Sequence, residues 1–417
     1  MNRLIVQLII CFGCMTFGSC REEIPPNSEF KLVESKLEHI QKHYAPDSRD
    51  HKFEFQLSTS PTDSQSFDIT GYTTVAEAAD AAQSLIESEN LPIHQMEIRL
   101  LPDMTQLEGK PFGIIKVSIA NLRSKPGHSQ ELATQLLHGM PVWLLDRQDD
   151  WYLVRCADNY LAWLNKGDFE AVDHAQLNDY LSRNLFVYTG GDIRLTAYRG
   201  DTSQYSPTPT VPIDLSPGAI VEVVYDEVDI PQLKTIDDRR AAVTDLSDLM
   251  TIERWSEQDI SRSLSNVNYS LGRPYLWGGT STRAADCSGF TKMCFYMAGF
   301  IIPRDASQQV KIGEEVPLDD ELTNLESNDL IFFGRLREDG SQRITHVALY
   351  DNLRDGTFFH AGADNGFIKS QSLKPDRPDY APHRRESLLA ARRYTHETAG
   401  LIRIGDVLSI DFWGKPL

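Results

Sequence analysis

AADCSGFTKMCFYMAGF (residues 284–300) is the stretch on which the fold turns. Asp286 is a natural N-cap there, which puts Cys287 in the first turn of a helix. Phe290, Met293, Cys294, Met297 and Ala298 then recur at i, i+3, i+4, i+7 and i+8, predicting one buried stripe. Gly299 supplies the stop. Cys294 lies on the stripe and reads as packing. Cys287 reads two ways: as a small apolar residue at the helix entrance, or as a nucleophile, because a helix N-terminus stabilises a thiolate and lowers its pKa. Gly289 removes a side chain one step on and lets another backbone or a ligand approach. These seventeen residues leave both readings open.

Outward from this helix the sequence supplies partners. Upstream, Gly272, Pro274, Gly278 and Gly279 forbid a long regular element, so a structured loop leads in, preceded by a helical stretch after Trp255. Downstream, SNDLIFFG (327–334) reads as a buried strand, and RITHVALYDNLRDGTFFHAG (343–362) as a hairpin turning at residues 351–355. A turn centred on Leu353 sets His346 opposite His360, and their even numbering puts both on one sheet face. A thiol nucleophile needs a base, and the base needs an orienting partner. The same Cys and two His would also make a zinc ligand set.

The whole chain has 417 residues and a net charge of −19. That length predicts several domains, and the charge argues against nucleic acid as a partner. Residues 4–17 form a short apolar run after Arg3, read as a secretory signal segment over 1–19. Of six Cys, Cys11 and Cys14 fall in that segment. Cys287 and Cys294 stand about 10 Å apart along one helix, too far for a disulfide. Residues 20–112 read as a polar linker, an amphipathic helix near 30–44 and a small α+β unit, strand–strand–helix–strand, in which no chemistry is evident. His39 and His43 read as a solvated helix face. From 113 to 182 short β runs broken by Pro, Gly and Asp suit a small barrel, and 183–258 reads as a weaker second copy.

Several of these stretches resemble known families. Gly18-Ser19-Cys20 resembles a bacterial lipobox, which implies lipid on Cys20 and an exported, lipid-anchored chain whose membrane attachment is that anchor alone; a plain cleaved signal, giving a soluble periplasmic or secreted chain, is the alternative. Asn121-Leu122-Arg123, Gly139, residues 151–154 (WYLV) and 160–163 (YLAW) resemble bacterial SH3 (SH3b) domains. Residues 274–279 (PYLWGG), 286–290 (DCSGF), 329–333 (DLIFF), 345–350 (THVALY) and 359–362 (FHAG) resemble the NlpC/P60 family of cell-wall cysteine peptidases over about 259–395, in a domain taken as 259–417. The resemblance implies an α+β multidomain protein: a papain-like catalytic domain preceded by two SH3-like β-barrels and a small α+β N-terminal domain.

It also implies roles. Cys287 is the nucleophile, His346 the base and His360 its orienting partner, with the Tyr275 hydroxyl and the Cys287 N–H at the oxyanion and no cofactor or metal. The combination of signal, SH3b pair and peptidase is similar to γ-D-glutamyl-L-diamino acid endopeptidases of the dipeptidyl-peptidase VI type. These act on peptidoglycan stem peptides with a free N-terminal L-Ala. Asp286, Ser288, Asp305 and Ala306 then fall at positions near the L-Ala and D-Glu groups. Ala306 departs from the Ser common there, with Ser307 next. Glu131 and Tyr160 of the first SH3b domain would close the pocket as a gate. A non-catalytic wall-binding lipoprotein, and an amidase or acyltransferase of the same fold, are the competing readings.

Overall fold

The structure, a computed structural model, describes residues 28–63, 65–89, 91–199, 211–226, 229–243, 245–354, 356–364 and 366–414. The expected leader over 1–19 and the lipidation position Cys20 lie outside the described residues. Among these residues no helix is long and apolar enough to cross a membrane.

The N-terminal unit follows its hydrophobic periodicity. Helix Ser28–Tyr44 buries Val33, Leu37 and Ile40 on one side and leaves His39 and His43 exposed. Strands Phe53–Thr59 and Phe67–Thr73 pair antiparallel. Helix Ala76–Glu89 then crosses to strand Ile93–Leu100, which runs parallel to the second strand. Seven strands from Phe112–Ile115 to Phe169–Val172 follow as one sheet, its last strand pairing back on its first. The next unit is a six-stranded sheet running from Leu185–Tyr188 to Leu249–Thr251, beside a two-stranded ribbon of Ile193–Leu195 and Ile213–Leu215. Beyond it the expected helix is only Ile252–Ser256 and two 3₁₀ turns, Ile260–Ser263 and Ser265–Tyr269. Local side chains explain the shortfall. Asp259 accepts from the Ser261 N–H, and Ser265 and Asn268 donate to the Arg262 and Ser265 carbonyls, competing with the helical ladder.

The C-terminal unit sets helix α1 (Cys287–Met297) on an antiparallel sheet. Its strands are β1 (Glu314–Glu315), β2 (Leu330–Leu336), β3 (Gln342–Asp351), β4 (Thr357–Gly362), β5 (Phe367–Ser372) and β6 (Leu388–Arg393). They lie side by side in the order β1-β6-β2-β3-β4-β5. The β3–β4 hairpin corrects the expected register. Leu349 pairs with Phe359 and Asp351 with Thr357, so the turn centres on Arg354, one residue late. The 3₁₀ turn Asn352–Arg354 takes up the extra chain. A shift of centre by one residue moves partners by two, so His346 and His360 become diagonal neighbours and still share a face.

The single buried stripe expected on α1 is also corrected: every residue from Ser288 to Met297 is buried. Phe290, Cys294 and Phe295 share a core with Val347, Leu349 and Phe359 of the sheet. Met293, Tyr296 and Met297 enter the core built around Leu137 and Trp143 of the seven-stranded barrel. The helix is therefore packed between two domains, and each large apolar side chain buried this way is worth about 2 kcal/mol. The tail closes the arrangement, since Trp413 stacks 4.2 Å from Trp143.

Candidate active site

The start of α1 is tightly determined. Asp286 Oδ1 accepts the Gly289 N–H at 2.8 Å, capping the helix, and Oδ2 accepts the Gly278 N–H at 2.9 Å. Arg304, 1% exposed, grips the same carboxylate from both guanidinium nitrogens at 2.7 and 3.1 Å and donates to Ser288 Oγ at 2.9 Å. Gly289 is obligatory, since a Cβ there would stand 2.0 Å from the Gly279 carbonyl oxygen.

Cys287 keeps part of its surface open, but its thiol behaves opposite to expectation. Burial pushes it up to about 12, and the Asp286 charge adds to this; the backbone N–H groups of Val347 and Ser288 oppose the shift without cancelling it. The helix N-terminus is outweighed because a desolvated thiolate beside a carboxylate costs more than the dipole returns. The resting sulfur is a thiol.

The imidazoles are neutral too. Burial holds His346 well below the usual value, helped by Arg384 and by His360. His360 is lowered to about 4, by burial first and Arg384 second. His346 Nε2 and His360 Nδ1 are 2.9 Å apart, and His360 Nε2 lies 2.9 Å from Gln371 Oε1. The amide oxygen only accepts, so His360 Nε2 carries the hydrogen and its Nδ1 must accept from His346 Nε2–H. That leaves the lone pair of His346 on Nδ1, the nitrogen available to take a proton. The two facing nitrogens are occupied by each other, so they are not both directed at one ion as a zinc site would require. Tyr275 is half-buried against the core that includes Cys287. Its phenol is pushed up to about 12, by burial first and then by Cys287 and Asp286. It therefore keeps the proton a donor needs.

Cys287 opens into a cleft of about 400 Å³ that also has Glu131, Tyr160, Asp286, Ser288, Asp305, Ala306 and Arg49 on its walls. Three units of the chain meet there. Glu131 Oε1 accepts from Trp277 Nε1 at 2.6 Å, joining barrel to catalytic loop. The Tyr160 hydroxyl reaches Asp305 Oδ2 at 3.4 Å. Arg49 Nη1 donates to Asp305 Oδ2 at 2.7 Å and to Ser307 Oγ at 2.9 Å. Arg49, from the stretch between the first helix and the small α+β unit, is thus part of the cleft wall. Arg49, Arg304 and Gln371 went unnoticed in the sequence because no local pattern marks them. Only the unpaired-charge question, which cation answers buried Asp286, would have pointed to Arg304.

Comparison with known proteins matches two stretches of the chain to known domains. Residues 272–380 match the NlpC/P60 family, and residues 122–169 match the bacterial dipeptidyl-peptidase Sh3 domain. The chain carries an NlpC/P60 domain and a bacterial SH3 domain. NlpC/P60 domains are those of a cysteine peptidase family of hydrolases. A gamma-D-glutamyl-L-lysine dipeptidyl-peptidase of Bacillus subtilis (strain 168) is 49% identical over 82 residues, 20% of this chain and 26% of that one. Dipeptidyl-peptidase 6 of Lysinibacillus sphaericus is 26% identical over 290 residues, covering 64% of this chain and 93% of the relative. A crystal structure of an NlpC/P60 family protein from Bacillus cereus ATCC 10987 shares the fold, with a TM-score of 0.54 and 22% identity over 68% of this chain and 99% of that one.

Proposed function

We propose that the protein is a cysteine endopeptidase that hydrolyses the γ-D-glutamyl–diamino acid bond of peptidoglycan stem peptides with a free N-terminal L-Ala. The observation that carries this is the pairing of the Cys287–His346–His360 arrangement with a cleft partly walled by the SH3 domain. His346 Nδ1 takes the thiol proton as Cys287 Sγ attacks the γ-carbonyl carbon. Because thiol and imidazole rest neutral, proton transfer accompanies attack. The oxyanion is met by the Cys287 N–H, an orphan donor of the first helical turn, and by the Tyr275 hydroxyl. The imidazolium then protonates the leaving amine, and water, deprotonated by the same nitrogen, cleaves the thioester.

The charge balance favours a substrate bearing an ammonium. Asp47, Asp286, Asp305 and Glu131 face three cations of the cleft, Arg49, Arg304 and Arg343, which leaves one negative charge. Asp286 is spent on Arg304 and the helix cap, so the acids left for the L-Ala amine are Glu131 and Asp305. Tyr160 and Glu131 stand where a glycan-linked L-Ala would have to pass, which makes the barrel a gate by exclusion. The unit over 183–258 is taken as a second SH3-like barrel that braces the catalytic unit, whose Arg283 binds its Asp192 and Asp214. Export through residues 1–19 with lipid on Cys20 completes the reading, and palmitate labelling lost in Cys20→Ala tests it.

Mass spectrometry of defined muropeptides tests the activity. The wild-type chain is expected to release L-Ala-γ-D-Glu from the tripeptide and to spare N-acetylated substrate, and Cys287→Ala to release nothing. Undiminished cleavage by Cys287→Ala would remove the assignment.

A further inference from the structure

Residues 45–51, between the first helix and first strand of the N-terminal unit, lie outside both family matches, yet they are built into the cleft. The Arg49 carbonyl accepts the Leu161 N–H at 2.7 Å, beside Tyr160. Asp50 Oδ1 accepts from Gln308 Nε2 at 2.7 Å, in the turn after Asp305. Asp47 holds the Arg49 guanidinium by a fork, from Nε at 2.8 Å and Nη2 at 2.6 Å, so the remaining nitrogen is aimed before any ligand arrives. Both hydrogens of that nitrogen are used, one on Asp305 Oδ2 and one on the Ser307 hydroxyl. The hydroxyl next to Ala306 is thus taken up by Arg49.

We propose that Arg49 is a positioning residue for amine recognition, through which the N-terminal unit sets the specificity of the cleft. It acts on Asp305. Arg49 and Tyr160 both bind Oδ2, which fixes the carboxylate and turns Oδ1, 3.8 Å from Arg304 Nη1, toward the substrate's α-ammonium. Without Arg49 the carboxylate could turn toward Arg304 and present no fixed acceptor. The recognised ligand is a dipeptide end with a free α-amine. This rests on the peptidase reading above.

Isothermal titration of L-Ala-γ-D-Glu into the full chain bearing Cys287→Ala tests it without turnover. Adding Arg49→Ala is expected to weaken binding about tenfold, the loss of an oriented charge-assisted contact, and Arg49→Lys to recover part of it. On an Asp305→Asn background, Arg49→Ala should change the Kd no further, because its effect runs through Asp305. N-acetylated dipeptide should bind equally weakly to all. An unchanged Kd in Arg49→Ala, or an undiminished effect on the Asp305→Asn background, overturns the proposal. If Arg49→Ala lowers the melting temperature, Arg49→Lys carries the test. It keeps the charge and loses the fork. Failure of the enzymatic reading shows separately, as a wild-type chain that leaves L-Ala-γ-D-Glu-Lys uncut.

Discussion

Gln371 offers the sharpest test of the proton relay. Its Oε1 is the acceptor that forces hydrogen onto His360 Nε2, and through His360 Nδ1 it forces hydrogen onto His346 Nε2. In Gln371→Leu the His360 ring can shift its hydrogen to Nδ1. His346 Nε2 must then accept, its own hydrogen moves to Nδ1, and the lone pair proposed to take the thiol proton is lost. The hydrogen bond removed is worth about 1 to 1.5 kcal/mol, so kcat should fall roughly five- to tenfold with KM little changed. Gln371→Glu acts in the opposite sense. A carboxylate beside His360 favours imidazolium and raises both ring pKa values. The wild-type base stays neutral well below pH 6.5, so its activity persists into mild acid, and the Glu variant should lose activity at a higher pH. Steady-state rates on the tripeptide between pH 4 and 8 measure both effects. Wild-type kcat in Gln371→Leu together with an unmoved acid limb in Gln371→Glu would refute the relay.

Three further outcomes are expected. With its thiol pushed up to about 12, Cys287 should alkylate with iodoacetamide slowly at pH 7, rising about tenfold per pH unit; peptide mapping that shows a plateau from pH 5 to 8 would mean a pre-formed thiolate. Arg304→Met strands the Asp286 carboxylate in a buried site and should cost about 3 to 5 kcal/mol in urea unfolding; a loss under about 1 kcal/mol would mean the pair contributes little. His138 is lowered to about 4 by burial, whereas unfolded it takes a proton near pH 6.5. Its contribution is whole above that pH and is lost as pH falls toward 4, up to about 3 kcal/mol; His138→Gln should flatten the melting-temperature slope in that window, and an identical slope would contradict it.

What the sequence disclosed followed from periodicity and from chemistry local to a few residues. Asp286 as cap, Cys287 in the first turn and Gly299 as stop are all consequences of one helix, and the helix is where they place it. The two imidazoles on one face needed only strand parity, which survived a turn that was miscentred by one residue because parity is insensitive to a two-residue slip. Long-range facts were not legible. Nothing near Arg49 announces Asp305, 256 residues away, and Gln371 is a plain strand residue until the hairpin brings it under His360. The thiol's pKa failed for a related reason: the helix dipole is visible in sequence, but desolvation depends on what the fold packs around the sulfur.

The same burial explains why the SH3 domain is more than an appendage. A helix that shows only one apolar stripe to its own sheet would tolerate loss of the barrel. Here Met293, Tyr296 and Met297 join one buried cluster with Leu137 and Trp143 of the barrel, and Gly278, at φ +78°, passes so close that a Cβ would stand 2.0 Å from the Leu132 carbonyl oxygen. The barrel side of that contact runs into Glu131, and the catalytic side runs back through Trp277. The helix that carries Cys287 and the barrel residue Glu131 on the cleft wall are therefore held by one continuous packing. Movement of the barrel away from the helix would expose apolar surface and open the Glu131 side of the cleft together.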